Sequence, residues 1–289
     1  MLKTRVIGTV LVKNNIAVQS IGFNQYLPIG IPEIAINYLD RWGVDEIIVL
    51  HLDGRENKLP PTVEQVKSYA AQCQVPLTVG GGITDVSHIK QIIRSGADKV
   101  VINSSLIIHP EIIPEGKELF GQQSIVVSID AKRQNNNTFI AYTHSGRTST
   151  NLTAHSLAKR AVELGAGEIF INSIDQDGSK KGFDLELIRS VVKDIDVPII
   201  ACGGAGHPKD IQMAMHCGAA AVAIGNMFHF TEHSVTTVKQ YLKSLSEPIR
   251  LDSSFQYQDF SFDIHGRPAK LNDNVLDSLR FQYIKEEEI

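Results

Sequence analysis

The sequence predicts an α/β fold: a single (β/α)8 TIM barrel of two repeated half-barrels, followed by a C-terminal extension. Its 289 residues exceed a typical domain but fit one barrel of this kind. Short apolar runs alternate with helical patterns along the chain, which is typical of a parallel sheet buried on both faces. An internal repeat, described below, favours a closed barrel over the alternative, a doubly wound open sheet.

The predicted elements follow in regular order. Eight strand–helix units in succession favour closure into a barrel. The predicted strands are Arg5–Val12, Glu46–Leu50, Val75–Val79, Lys99–Asn103, Ser124–Asp130, Glu168–Ile171, Val197–Cys202 and Ala221–Gly225. Helical periodicity predicts helices that include Ile31–Trp42, Val63–Gln72, Leu152–Leu164 and Leu185–Asp194.

The repeat has an offset of 122 residues, counted from Val75 to Val197. The segments VPLTVGGGITDVSHIKQIIRSGADKVVINS and VPIIACGGAGHPKDIQMAMHCGAAAVAIGN align glycine with glycine and apolar with apolar residues. Half of an eightfold barrel, present twice, explains this pattern. Residues 251–289 lie outside the repeat. We therefore expect a barrel over 1–250 and an extension over 251–289, packed on the barrel or contacting a partner.

Composition excludes several classes of function. A net charge of −4 argues against nucleic-acid or anionic-membrane binding through bulk charge. Three cysteines without a CxxC pair indicate a reduced, cytoplasmic protein. The N-terminus carries no secretory pattern, and no apolar stretch approaches the length of a membrane span. His229 and His233 are interpreted as polar surface rather than metal ligands, and we expect neither a metal nor a cofactor.

A glycine pair follows one strand in each half and precedes a helix. Glycine lets the backbone approach a ligand, and a helix N-terminus attracts an anion. Each pair is accompanied by a polar end on the next strand, so we expect two phosphate sites facing each other across the barrel mouth. Glycine at these positions could also serve turns and close packing. The expected site residues are Gly81, Gly82, Asn103 and Ser104 in the first half, and Gly203, Gly204, Gly225 and Asn226 in the second.

Carboxylates and a histidine also end predicted strands. Asp130 ends the fifth strand, where acid–base groups of barrel enzymes lie, so it is the candidate catalytic residue. Asp177 and Gly178 follow the sixth strand and serve either the ligand or a turn. His51 ends the second strand and is a possible ligand contact, although a substitution without function is equally consistent.

Several segments resemble a known family. DEIIVL, VGGGI, GADKVVINS, IVVSID, GAGEIFINSIDQDGSKKGFDLE, IIACGGAG and MFHF are similar to the cyclase subunit of imidazole glycerol phosphate synthase, the HisF type. The resemblance covers about residues 5–250. It implies a (β/α)8 barrel that receives ammonia from a separate glutaminase subunit and acts on a bis-phosphorylated small molecule. It also implies an ammonia gate at the barrel floor, formed by Arg5, Glu46, Lys99 and Glu168, with Asp98 at the glutaminase face.

The sequence departs from this family at the barrel mouth. The family uses two aspartates; Asp130 matches one, and Leu11 stands where the other is expected. Gln19 replaces a loop lysine, and His51 replaces an aspartate. A leucine cannot transfer protons, and loss of such a group costs about 10²–10⁴ in rate. The pattern resembles a family branch linked to acetamidino modification of surface polysaccharides.

Three functions therefore remain open. The first is an ammonia-channelling subunit that works with a glutaminase, and with a sugar amidotransferase, to amidate a surface-polysaccharide sugar. The second is the imidazole glycerol phosphate synthase cyclase (a lyase) of histidine biosynthesis. The third is a non-catalytic phosphosugar-binding barrel. A phosphosugar isomerase of the same barrel group also needs paired aspartates, so Leu11 argues against it.

Overall fold

The fold is a closed parallel barrel, seen in a computed structural model that describes residues 3–54, 59–231, 233–251, 261–269, 272 and 274. The strands are β1 (Arg5–Lys13), β2 (Ile16–Ile21), β3 (Gln25–Gly30), β4 (Glu46–His51), β5 (Leu77–Gly80), β6 (Lys99–Ile102), β7 (Ile125–Arg133), β8 (Phe139–Thr143), β9 (Thr148–Thr153), β10 (Glu168–Ser173), β11 (Ile199–Cys202) and β12 (Ala221–Ile224).

The helices lie between the barrel strands. They are α1 (Pro32–Arg41), α2 (Val63–Ala70), α3 (Val86–Arg94), α4 (Ser105–Ile108), α5 (Ile112–Phe120), α6 (Ala154–Leu164), α7 (Leu185–Val192), α8 (Pro208–His216) and α9 (Ser234–Ser244). The four predicted helices agree with α1, α2, α6 and α7 to within two residues at each end.

Strand pairing closes the barrel. The order is β1-β4-β5-β6-β7-β10-β11-β12, and β12 returns to β1 in parallel. The predicted (β/α)8 barrel is thereby confirmed, and the open sheet is excluded. Two predicted strands start too early, at Val75 and Val197. The strands begin two residues later because Pro76 and Pro198 have no N–H to donate to a neighbouring strand.

Two β-hairpins were not predicted from the sequence. In each half the first barrel strand runs on into an antiparallel pair, β2–β3 after β1 and β8–β9 after β7. Pairing begins at Leu11 with Val18 in the first half and at Asp130 with Tyr142 in the second. Leu11 and Asp130 therefore occupy equivalent positions on opposite sides of the eight-stranded barrel.

The barrel interior is layered, as inward side chains of alternate strands require. Charged residues form the floor, and an apolar layer lies above them. The apolar layer comprises Ile7, Ile48, Val101, Val126, Phe170, Ile200, Ala221 and Ala223. A separate, larger core lies between the strands and the helices. The polar site opens at the carboxyl ends of the strands, above an apolar middle layer.

A buried ion pair ties the last helix to the barrel. Lys239 of α9 donates to Asp45 at 2.9 Å, and both side chains are almost fully buried. Asp45 also accepts the backbone N–H of Val6 at 2.6 Å. Because each charge is satisfied by a close partner, the pair can be held in the interior. Within the described residues, no helix is long and apolar enough to cross a membrane.

Candidate functional site

A cavity of about 270 Å³ opens at the carboxyl ends of the barrel strands. Active sites of TIM-barrel enzymes lie at this end, because the loops that follow the strands converge there. Every site residue expected at the barrel mouth lines this one cavity. They are His51, Gly81, Gly82, Asn103, Ser104, Asp130, Asp177, Gly178, Gly203, Gly204, Gly225 and Asn226.

The two glycine pairs have equivalent surroundings. Gly82 and Gly204 both have positive φ, at 66° and 101°. A Cβ on Gly82 would lie 2.1 Å from the carbonyl oxygen of Leu59, and one on Gly204 would lie 2.1 Å from that of Gly182. In each half the glycine thus packs against the loop from the preceding strand. Turn geometry and close packing therefore require these glycines whatever ligand is bound.

The helices that follow the glycine pairs are capped by their own side chains. Asp85 accepts the N–H groups of Ser87 and His88 at the start of α3, and His207 accepts that of Lys209 at the start of α8. These caps satisfy some of the N–H groups at the two helix starts and leave fewer of them for an anion. No side chain caps α4, which follows Asn103 and Ser104, or the 3-10 turn Asn226–Phe228. An anion would meet backbone donors at these two strand ends.

Ser104 and Asn226 are equivalent in the repeat and hold the two hairpins. The Ser104 hydroxyl accepts the N–H of His144, in the turn between β8 and β9, at 3.3 Å. The Asn226 amide donates to the carbonyl of Ser20 on β2 at 2.7 Å. Each half therefore binds the hairpin of the other half. The hairpins fold over the cavity rather than away from it.

Asp177 and Gly178 lie against the first hairpin. The Asp177 carboxylate accepts the Ser20 hydroxyl at 2.6 Å and the N–H of Phe23 at 3.1 Å. A Cβ on Gly178 would lie 2.5 Å from the Ser20 carbonyl oxygen. Of the two roles open to Asp177, these contacts supply the structural one. Burial nevertheless raises the pKa of Asp177.

Asp130 is the most perturbed carboxyl group in the cavity. Its side chain is buried and accepts the Asn103 amide at 3.1 Å. Burial raises its pKa to about 7, and the nearby charge of Asp177 adds to the effect, whereas the Asn103 hydrogen bond opposes it. A carboxyl group with a pKa near neutrality can both give and take a proton at physiological pH. Acid–base chemistry at this position is therefore physically available.

Replacing Asp130 with asparagine should stabilise the protein at alkaline pH. The folded pKa of about 7 lies above the ordinary 3.8, so the wild type loses stability as pH rises between these values. We expect Asp130→Asn to raise the free energy of unfolding at pH 8 by a few kcal/mol, on the order of the pKa shift, and to change little at pH 4.5. Chemical denaturation at both pH values measures this difference. Equal stability of the two proteins at pH 8 would refute the raised pKa.

The cavity wall around Leu11, opposite Asp130, is apolar. Leu11 pairs with Val18 and Leu50 on its two neighbouring strands, and all three line the cavity. A ligand thus meets a carboxyl group on the β7 side and only hydrocarbon at the equivalent place on β1. Gln19 does not line the cavity. Val18 and Ser20 do, and because successive residues of a strand point to opposite faces, the Gln19 side chain points away from it.

The His51 ring contacts the core, and the residue also forms part of the cavity wall. Its Nε2 lies 3.0 Å from the Tyr69 hydroxyl, and burial lowers its pKa to about 4. The ring is therefore neutral at physiological pH. A Cβ on Gly81 would lie 2.3 Å from the His51 carbonyl oxygen, so this residue also supports the first glycine pair. These contacts supply a structural reason for a histidine at this strand end.

Among the cavity-lining residues that were not predicted from the sequence are His229 and His144. His229 was interpreted as polar surface, but it lines the cavity and its Nε2 lies 3.2 Å from the Thr9 carbonyl oxygen. Burial lowers its pKa. His144 lines the cavity from the β8–β9 turn with a positive φ of 54°. The sequence His144-Ser145-Gly146 was the available signal for this turn, because polar residues followed by glycine are typical of turns.

Four charges form a closed ring at the barrel floor. Arg5 donates to Glu46 at 2.5 Å and to Glu168 at 2.9 Å, and Lys99 donates to the same two carboxylates at 3.1 Å. Each base thus bridges both acids. The residues expected to form the ammonia gate are brought together by β1, β4, β6 and β10. Asp98 lies beside the ring but accepts the backbone N–H of Leu77 at 2.8 Å.

A barrel with a polar cavity at its mouth and a charged ring at its floor defines the class as a TIM-barrel protein with a candidate ligand site. Among the described residues, no cluster of His, Cys, Asp and Glu could hold a metal ion. The chain belongs to the family described as histidine biosynthesis protein, whose profile matches residues 5–234. It is a HisF-like synthase subunit, as its curated relatives indicate.

The alignments with the relatives cover nearly the whole length of each relative. An imidazole glycerol phosphate synthase subunit HisF of Dehalococcoides mccartyi is 41% identical over 255 residues, 88% of this chain and 100% of the relative. The HisF subunit of Bacillus subtilis is 40% identical over 252 residues, 86% of this chain and 100% of its own. A protein of Vibrio vulnificus, named as a candidate for the same subunit and called hisF2, is 38% identical over 269 residues, 93% of this chain and 98% of its own.

Proposed function

We propose that the chain is the synthase subunit of a glutamine amidotransferase complex that passes ammonia from a glutaminase through the barrel to a phosphorylated ligand. We further propose that the ammonia serves amidation of a bacterial surface-polysaccharide sugar, with a sugar amidotransferase as a further partner. The observation that carries this proposal is the pairing of a complete charged ring at the floor with Leu11 opposite Asp130 at the mouth.

The ring supports entry of ammonia at the floor. Its charges alternate, so every base lies between two acids, and the side chains keep only 7–16% exposure. Glu168 uses one oxygen for both bases, and its other oxygen, Oε2, has no hydrogen-bond partner within the described residues. A buried acceptor without a donor is costly. Ammonia is a small donor that would satisfy it in passing.

Further buried acceptors lie above the ring. Thr78 pairs in register with Lys99 and with the inward-facing Ile48, so it belongs to the barrel interior. Its hydroxyl has no partner in the described part of the chain, and the same holds for the side-chain oxygens of Asn172 and Thr9 at the cavity. One of these atoms lies at the level of Lys99, and the other two lie at the cavity. They support a route for a small polar molecule through an otherwise apolar interior.

The residues that line the cavity support the proposal that this chain no longer catalyses the reaction of its relatives. An acid–base pair across the cavity needs a titratable group on both β1 and β7, and only Asp130 provides one. Leu11 leaves the scaffold able to bind a phosphorylated ligand without the second proton-transfer group.

A glutaminase assay tests the proposal. The chain and the glutaminase-like protein of the same genome would be mixed, and glutamine hydrolysis measured with and without a bis-phosphorylated ligand. We expect a complex and faster hydrolysis. Lys99→Met would be the matched variant, because it breaks the ring while leaving the cavity residues in place. Failure to bind the glutaminase or to raise its rate would reject the proposal.

The second candidate is the cyclase of histidine biosynthesis. The retained Asp130, with a pKa of about 7, and the identity of 38–41% to HisF-named relatives favour it. Complementation of a strain that lacks the cyclase subunit distinguishes the two. Growth without histidine would support the cyclase and show that Leu11 does not abolish the reaction.

A further inference from the structure

Residues 261–269 form a small hairpin on the outside of the barrel, here called the extension hairpin. Phe262 pairs with Pro268 across it, and Asp263 accepts the backbone N–H groups of His265 and Arg267. Ala269 also donates its N–H to the Ser261 carbonyl at 2.8 Å. These internal bonds define its shape, so the hairpin can dock as one unit.

The extension hairpin docks on the start of α8. The backbone N–H of Lys209 donates to Nδ1 of His207 at 3.0 Å, so Nδ1 is the acceptor and Nε2 carries the proton. His207 Nε2 then donates to the Ile264 carbonyl at 3.2 Å. A Cβ on Gly266 would lie 2.9 Å from the ring of Pro208. One histidine therefore caps the helix with one nitrogen and holds the hairpin with the other.

An aromatic contact joins the hairpin to the last helix. The ring of Tyr241 on α9 meets His207 edge-on at 5.7 Å between centroids, and it meets Phe262 edge-on at 5.5 Å. Such pairs contribute beyond the area they bury. Tyr241 thus lies between the hairpin and the residue that it docks on.

The first half lacks this arrangement at the equivalent place. With the repeat offset, Asp85 corresponds to His207 and His88 corresponds to Asp210. Asp85 caps α3 through its carboxylate, and the loop amide of Thr84 lies 3.3 Å from Nδ1 of His88. Aspartate and histidine are exchanged between the halves. A carboxylate cap only accepts, whereas the histidine cap also has an N–H to donate and donates it to the hairpin.

His207 is connected to the second glycine pair. The Asp210 carboxylate accepts the N–H groups of Gly206 and His207 at 2.9 and 2.8 Å. Two residues before Gly206, the Gly204 carbonyl accepts the N–H of Gly182 at 2.8 Å. The segment from Gly203 to His207 is thus fixed at both ends. The extension hairpin contacts this segment at its α8 end, through His207.

We propose that the extension hairpin is a clamp for the second glycine pair and that ligand affinity at Gly203 and Gly204 depends on it. The inference rests on the phosphorylated ligand of the proposed function. His207 acts as a positioning residue, because it touches the hairpin and the helix rather than the cavity. Residues beyond the barrel thereby become part of the binding machinery of one half only.

Two variants of the full-length chain break the clamp in different ways. His207→Asn keeps a good helix cap, and its shorter side chain cannot reach the Ile264 carbonyl. Phe262→Ala removes the aromatic contact with Tyr241. The matched control is Ile264→Ala, because that side chain is 86% exposed and only its backbone carbonyl is used. Asp85→Ala is the control that loosens the first half instead.

Two measurements are made on each variant. Hydrogen exchange reports the opening of residues 203–206 and, as an internal reference, 81–84. Calorimetry with inorganic phosphate reports affinity. For His207→Asn and Phe262→Ala we expect faster exchange at 203–206 only, and about a three- to tenfold weaker affinity at one of two sites, the worth of one hydrogen bond. Ile264→Ala should match the wild type, and Asp85→Ala should affect 81–84 only.

The outcomes separate the clamp from the proposed function. Wild-type exchange at 203–206 in both clamp variants would overturn the clamp, whether or not phosphate binds. Faster exchange with unchanged affinity would overturn the dependence of binding on the hairpin. Absence of phosphate binding by the wild type would reject the proposed ligand, and the claimed effect on affinity with it, while exchange still tests the contact.

Discussion

Replacing Leu11 with aspartate is expected to raise ammonia-dependent cyclisation of the relatives' bis-phosphorylated substrate by about 10²–10⁴-fold. Leu11 occupies the position on β1 that Asp130 occupies on β7, and both line the same cavity. A carboxyl group at position 11 would therefore face the substrate from the side opposite Asp130. Turnover with a saturating ammonium salt, without any glutaminase, measures the effect.

Leu11→Asn is the control for this gain. Asparagine has nearly the same shape and polarity as aspartate but cannot exchange a proton at neutral pH. We expect it to remain as slow as the wild type. Equal rates for the aspartate and asparagine variants would mean that polarity, not proton transfer, limits the reaction. No gain with aspartate would mean that the missing function lies elsewhere, for example at His51 or Gln19.

Of the substitutions predicted in this protein, those that break the charged ring are expected to lower the free energy of unfolding most. Glu46→Gln removes one of two acids and leaves Arg5 and Lys99 sharing Glu168. Breaking a buried pair by removing one partner costs about 3–5 kcal/mol, because a charge is left without compensation. The bases keep 14–16% exposure, so we expect the lower end of this range. Chemical denaturation measures it.

A double variant tests the cause of that loss. Glu46→Gln with Lys99→Met removes one acid and one base, and it leaves the Arg5–Glu168 pair at 2.9 Å. We expect the double variant to be more stable than Glu46→Gln alone, since the uncompensated charge is gone. The residues touch, so their effects should not add. A loss equal to the sum of the two single losses would contradict the ring as a coupled unit.

The barrel was predictable because its signal is local and repeated. Near-continuous apolar strands and the 122-residue offset define the eight units, and strand ends in such a barrel must converge. That convergence is why Gly82, Asn103 and Asp130 could be placed at one cavity without a structure. The floor ring needed the family resemblance in addition, since charges at strand starts alone also suit a stability role.

The hairpins and the clamp were not predictable from periodicity. β3 is mostly exposed and contains Pro28, and the polar strand β9 lacks apolar alternation, so both exist only through pairing with β2 and β8. His229 is buried by contacts distant in sequence. The role of residues 251–289 stays a prediction beyond the described hairpin. The capping of α3 and α8 was readable from Asp85 and Asp210, which stand at the starts of these helices.

We propose that this chain keeps the ligand-binding scaffold and the floor ring that the family resemblance implies but lacks the second member of the implied acid–base pair, since Leu11 stands opposite Asp130. The most direct test compares the wild-type chain with the Bacillus subtilis subunit, both supplied with ammonium salt and the bis-phosphorylated substrate, and records binding and turnover together. We predict that both bind the substrate and that this chain turns it over at least about 100-fold more slowly. Comparable turnover by the two proteins would contradict the account.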